Sequence, residues 1–271
     1  MKIGVMQGRL SPRLDNGKYQ YFPTNTWKRE FEIAETLGFD YIELVHDSQF
    51  HNLNRHELKE VVESTGVKAS HLCYDSFDLK SAIYDSEVNS VVSDLNNLFY
   101  MCKNWGIKYI TIPVIENNTL NYNSQFDGFI QFLNKISWTA AKARVEICME
   151  LDLNKNLLDT LFNKIEREVY PSINIGMTLD TGNHYFDKLG PKDLRNVKHV
   201  HIKDRSVDGQ SCILGSGQTN FKELIKALPN KDDLTYTLQC SRADTFDSEF
   251  AEITNITNQL KLMKEIIGAK S

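Results

Sequence analysis

The stretch Trp105-Gly106-Ile107-Lys108-Tyr109-Ile110-Thr111-Ile112 decides the fold. A helical-period segment, Val88–Trp105, runs into a glycine, and a β-branched and aromatic run begins soon after. Glycine ends helices because it takes the left-handed conformation without a Cβ clash. The same grammar recurs at Leu37-Gly38-Phe39-Asp40, where a segment starting at Trp27 stops just before Tyr41–Val45. Helices that lead through short loops into strands are the repeat of a parallel β/α protein.

Working outward from these two places, the strand candidates are Ile3–Met6, Tyr41–Val45, Ala69–Cys73, Tyr109–Ile112, Val145–Glu150, Ile173–Asp180, Val197–His201 and Leu234–Gln239. Helical segments fall at Trp27–Leu37, Asn54–Thr65, Val88–Trp105, Ser124–Ala140, Leu157–Val169, Phe221–Leu228 and Ser248–Ile267. The sixth unit, around Pro191-Lys192-Asp193-Leu194, has room for a short helix at most. Eight such units predict one (β/α)8 TIM barrel domain over residues 1–271. No G-x-G-x-x-G follows the first strand, which argues against a dinucleotide-binding open sheet.

Lys and Arg total 31 against 36 Asp and Glu, a formal charge of −5, with no basic run. Nucleic acid is bound through Lys and Arg on phosphates, so that partner is not expected. No segment approaches the roughly 20 apolar residues of a membrane helix, and the opening Met1–Gln7 is too short for a signal peptide. The five cysteines are scattered and form no C-x-x-C pair. Free thiols suit a reducing compartment, so a cytoplasmic location is expected. A homo-oligomer is compatible with this composition.

In a barrel, catalytic groups sit at the C-terminal ends of strands. Strand five ends at Glu150, a carboxylate after an apolar run, which is costly to bury unless paired or metal-bound. Strand six ends in Asp180-Thr181-Gly182, where the acid could equally bond its own backbone in a turn. On strand seven, His199, His201 and Lys203 alternate onto one face, and a His-x-His pair opposite acids is a metal signal. Strand eight ends at Gln239, whose amide oxygen can coordinate a hard cation but cannot act as a base near neutral pH. Arg9 follows strand one, and Cys73 and Asp75 lie at the end of strand three; Cys73 taken alone reads as a small buried apolar group. Gly215 and Gly217 precede the seventh helix, where barrels often hold phosphate, and Arg205 and Arg242 could add bidentate contacts. A flexible turn is the plainer reading of the two glycines.

Together, Glu150, Asp180-x-Gly182, His199-x-His201-x-x-Asp204 and Gly215-x-Gly217 resemble the xylose isomerase-like TIM barrel superfamily. The resemblance runs over the whole chain. It is closest to a bacterial sugar-phosphate isomerase/epimerase subgroup, through Gln7-Gly8-Arg9-Leu10-Ser11-Pro12, Phe22-Pro23, Trp27 and His201-Ile202-Lys203-Asp204-Arg205. It implies a small-molecule substrate, a sugar or sugar phosphate, and a divalent ion, Mn²⁺ or Mg²⁺ before Zn²⁺. The implied ligands are Glu150, Asp180, His201 and Gln239, with Glu150 also the catalytic base. Characterised epimerases carry Glu at the last position, so the ligand charge falls here from about −3 to −2, which weakens divalent ion binding.

Arg9, Cys73, Asp75, Lys203, Arg205 and Arg242, by their places at strand ends, and Asn183 and His184, by the resemblance, are expected around the substrate. Asn183 stands where a substrate-binding His is common, with His184 displaced by one. Without a second carboxylate at position 239, a one-base aldose–ketose isomerase is favoured over a two-base epimerase. His184, Asp204 and Asp75 are the candidate substitute bases for the alternative. A non-catalytic sugar-binding barrel is the remaining reading. The endonuclease branch does not fit, because Thr111-Ile112-Pro113 supplies no His and the net charge is negative.

Overall fold

A computed structural model describes residues 1–14, 20–83, 88–121, 123–183, 189–229, 234–243 and 248–268. The apolar runs become strands β1 (Lys2–Met6), β2 (Tyr41–Val45), β3 (Lys68–Cys73), β4 (Tyr109–Val114), β5 (Glu146–Leu151), β6 (Ile175–Asp180) and β7 (Val197–Ile202). A small antiparallel hairpin, β8 (Asp204–Arg205) with β9 (Ser211–Cys212), precedes the eighth barrel strand, β10 (Thr235–Leu238). The eight long strands are parallel neighbours in a closed ring, with β1 between β10 and β2. This is the (β/α)8 TIM barrel expected from the sequence.

The helices are α1 (Trp27–Leu37), α2 (Arg55–Thr65), α3 (Leu79–Ile83), α4 (Val88–Trp105), α5 (Asn123–Ala143), α6 (Lys155–Glu168), α7 (Phe221–Ala227) and α8 (Glu249–Ile266). Gly38 and Gly106 close α1 and α4 at φ of 78° and 80°, as their place in the sequence requires. The α3 turn and the β8–β9 hairpin were not anticipated; both are too short to show a period. Among the described residues, the β6–β7 connection contains turns and no α-helix.

Strand residues that face the helices, such as Val5, Ile42, Leu72 and Ile110, are fully buried in one apolar cluster. Each such side chain contributes roughly 1.5–3 kcal/mol. The barrel interior is different. Most TIM barrels fill it with branched aliphatics, whereas here Tyr41, His71 and Tyr109 stack with ring centroids 4.2 and 4.6 Å apart. A Cβ on Gly4 would collide with the Tyr41 ring, so the bare glycine on β1 admits that stack. Above it lie buried Glu43, His199, Thr111 and Thr237, and above these the C-terminal mouth.

Candidate active site

Register brings the site together. Asp180 on β6 is level with His201 on β7, and Glu150 stands on β5, the next strand round. One ligand atom from each of Glu150, Asp180 and His201 lies within 4.8 Å of the others, and all three residues are buried. His201 Nδ1 is 3.5 Å from Glu150 Oε2. Glu150 and Gln239 line a cavity of about 490 Å³ at the mouth, with Arg9, Asp75, Lys203 and Arg205.

Asp180 makes the turn the sequence allowed and keeps its second oxygen apart from it. Its Oδ1 accepts from the N–H groups of Gly182 (2.7 Å) and Asn183 (3.1 Å), which is the turn. Among the described residues its Oδ2 is buried without a hydrogen bond, and the Lys203 ammonium lies 3.7 Å away. His201 Nδ1 and Gln239 Oε1 are also buried without hydrogen-bond partners among the described residues. Buried polar atoms normally find partners. Orphaned atoms on a carboxylate and an imidazole whose residues cluster with Glu150, together with the orphaned amide oxygen of Gln239, fit a divalent cation.

Charge is distributed unevenly over the group. Burial pushes the Glu150 carboxyl up, against the pull of His201. Burial acts on Asp180 too, but the Lys203 and His201 charges overcome it and hold that carboxyl below its usual range. Burial disfavours a charge on His201, yet Glu43 and Glu150 on either side raise its pKa to about 10. For the coupled pair of acids, Asp180 is the ionised one and Glu150 the one that accepts a proton more readily.

Glu43, on β2, was not among the residues expected in the site. It is fully buried, and its carboxylate meets His199 Nε2 at 2.8 Å and His201 Nε2 at 3.2 Å. Burial works against its charge, but His201 and His199 hold it well below the usual range. Gln20 was also missed: Gln239 Nε2 donates to its Oε1 at 2.8 Å, and Gln20 Nε2 donates to Asp75 at 3.1 Å. Thus the amide of Gln239 spends its N–H on Gln20, and its oxygen has no hydrogen bond among the described residues.

The other expected residues divide. Asn183 Nδ2 donates to Glu150 Oε1 at 3.3 Å while its own oxygen accepts from Arg205 at 2.9 Å, so it links the two. Arg9 is buried at the cavity wall and donates to the Cys240 carbonyl. Cys73 sits in a small apolar cluster with Met6 and Val45, and burial raises its thiol well above the ordinary range. His184 lies outside the described residues.

The expected phosphate corner is not assembled. Gly215 and Gly217 both donate their N–H groups to Asp204 Oδ2, each at 2.9 Å, and Thr219 N donates to Oδ1 at 3.1 Å. The loop already holds an anion, and that anion is a side chain of the protein. Arg242 turns away from the cavity to bond the carbonyls of Gly8 (2.6 Å), Ser11 (3.2 Å) and Pro12 (3.3 Å), with Glu252 behind it at 3.5 Å. It ties the β1 loop to the C-terminal part of the chain. Of the expected cationic contacts, Lys203 and Arg205 do line the cavity.

The family model for the xylose isomerase-like TIM barrel matches residues 31–265. The chain belongs to that family. No curated protein matches it at a significant level. Among solved structures it is similar to an IolI protein with a bound zinc atom, at 14% identity and a TM-score of 0.72 over 99% of both chains. It is also similar to D-psicose 3-epimerase with D-tagatose from Clostridium cellulolyticum H10, at 12% identity and 0.71 over 98% of this chain and 99% of that one. A D-allulose 3-epimerase from Methylomonas matches at 15% identity and 0.74 over 98% of both chains. At these identities the likeness is one of fold. Among the described residues, no helix is long and apolar enough to cross a membrane.

Proposed function

We propose that the protein is a metal-dependent sugar or sugar-phosphate isomerase that interconverts aldose and ketose with Glu150 as the base. The observation that carries this reading is the set of orphaned donor atoms on Asp180, His201 and Gln239, with the buried Glu150 carboxylate that lines the cavity. Glu150, Asp180 and His201 would hold the ion, with the Gln239 oxygen as a weak fourth ligand. Mn²⁺ or Mg²⁺ suits the oxygen-rich set, and Zn²⁺ is compatible; when bound it supplies Lewis-acid stabilisation of the developing oxyanion.

The remaining steps belong to the chain. Glu150 takes a proton from the carbon beside the carbonyl, and the electron pair moves into an enediolate. The same carboxyl returns the proton to the neighbouring carbon on the same face, while a hydroxyl proton moves between the two oxygens. Asn183 orients Glu150 through its amide, and Arg205 orients Asn183. Lys203 and Arg205 face the substrate's oxygens from the cavity wall.

Epimerisation with a second base is favoured by one observation: Asp75 shares the cavity with Glu150. Asp204 is removed as a substitute base, because both of its oxygens accept backbone N–H groups. Incubating the Mn²⁺-loaded protein with aldoses, ketoses and their phosphates in D₂O, followed by NMR, separates the readings. Aldose–ketose conversion, abolished by Glu150→Gln, supports isomerisation. Deuterium with inversion at one carbon and no carbonyl shift supports epimerisation through Asp75. Neither carbonyl shift nor exchange with any sugar, despite metal binding, contradicts both.

A further inference from the structure

The interior carboxylate below the mouth has no place in the steps above. Glu43 does not line the cavity, yet it is fully buried and receives four side chains. Thr111 Oγ1 donates to its Oε1 at 3.1 Å and Thr237 Oγ1 to its Oε2 at 2.6 Å. The Nε2 atoms of His199 and His201 complete the set at 2.8 and 3.2 Å. A carboxylate only accepts, so each ring nitrogen that faces it carries a hydrogen.

We propose that Glu43 is a positioning residue, which keeps the Nε2–H of His201 inside the barrel so that Nδ1 is the nitrogen offered to a metal ion. The proposal rests on the reading of Glu150, Asp180 and His201 as ligands. Which imidazole nitrogen binds a metal is set by the hydrogen bond the other one makes, commonly to a carboxylate. Here the geometry is complete on both sides of the ring: Nε2 on Glu43, and Nδ1 orphaned at 3.5 Å from Glu150 Oε2.

Glu43 is itself braced from below. His199 Nδ1 meets Thr235 Oγ1 at 2.7 Å, and the same hydroxyl meets His71 Nε2 at 2.9 Å. His71 stacks on Tyr41 and Tyr109, and its Nδ1 reaches Ser70 Oγ at 2.9 Å. The polar interior therefore forms a column that fixes the carboxylate, and through it the ring of His201. Filling the same space with aliphatic side chains would pack the barrel but leave that ring free to turn.

The test is calorimetric titration of MnCl₂ into the wild type and Glu43→Gln, with circular dichroism to confirm folding. Glutamine keeps the shape but turns one oxygen into a donor that competes at His201 Nε2. Affinity is expected to fall about 10- to 100-fold, the usual effect of losing such a partner. Affinity within about twofold of wild type would overturn the proposal and leave the metal reading standing. A wild type that takes up no Mn²⁺ would overturn the metal reading itself. A second measurement needs no variant: ¹⁵N-histidine NMR of the Zn²⁺-loaded wild type. It should show His201 protonated at Nε2 and coordinated through Nδ1; the reverse assignment would refute the role of Glu43.

Discussion

Replacing Asp204 by Ala should expose what the glycine loop is for. The carboxylate is 1% exposed and accepts four backbone N–H groups, from Arg205 (2.9 Å), Gly215 (2.9 Å), Gly217 (2.9 Å) and Thr219 (3.1 Å). A hydrogen bond to a charged group contributes about 1.5–3 kcal/mol net. The four are not additive, because Gly215 is exposed and its N–H can turn to water. A loss of about 3–5 kcal/mol follows, near the top of the range for single substitutions. At about 2–4 °C per kcal/mol for a chain near this size, Tm should drop by about 6–20 °C.

Sulfate should then recover part of the loss in the variant, because the vacated N–H groups form an anion nest. Occupancy at 100 times Kd would restore about 2.7 kcal/mol. Differential scanning calorimetry of both proteins, with and without sulfate, gives the answer. Sulfate stabilises proteins generally, so the quantity that matters is the excess in the variant over the wild type. A Tm loss under about 2 °C would show that this carboxylate does not hold the loop. Equal sulfate effects in the two proteins would refute the nest.

Three further outcomes are expected. The His201 pKa is raised to about 10 from an ordinary 6.5, so its charge stabilises the metal-free protein fully below pH 6.5 and progressively less as pH rises toward 10. Since metal must displace the Nδ1 proton, Mn²⁺ affinity should rise with pH over that window, and calorimetry in two buffers should detect about one proton released per ion. Gln239→Glu restores a charged fourth ligand: it should tighten Mn²⁺ binding in calorimetry, leave isomerisation similar or impaired, and introduce epimerised product visible by NMR. Arg242→Ala strands Glu252 and three loop carbonyls, at a cost of about 3–5 kcal/mol for a broken buried pair, measurable by urea denaturation.

Strand ends were legible because each carries its own signal. Glu150, Asp180 and His201 follow short apolar runs, and burying such groups needs a reason that local sequence already raises. The glycines at 38 and 106 marked helix ends for an equally local cause, the left-handed backbone. Glu43 carried no such mark. In Tyr41-Ile42-Glu43-Leu44-Val45 it reads as the polar position of an alternating strand, and its partners are 156 and 158 residues away. Gly215 and Gly217 misled for the opposite reason: an anion-binding loop is recognisable from sequence, but its anion, Asp204, is brought in by a two-residue hairpin too short to predict. Arg242 likewise reads as a free cation until closure of the barrel places the β1 loop over it.

The most direct test of the metal centre is anomalous difference density from crystals grown with MnCl₂. The account predicts one peak at the barrel mouth, contacted by Glu150, Asp180, His201 Nδ1 and the oxygen of Gln239. A mouth without a peak, or a peak seated between Glu43, His199 and His201 instead, would contradict it.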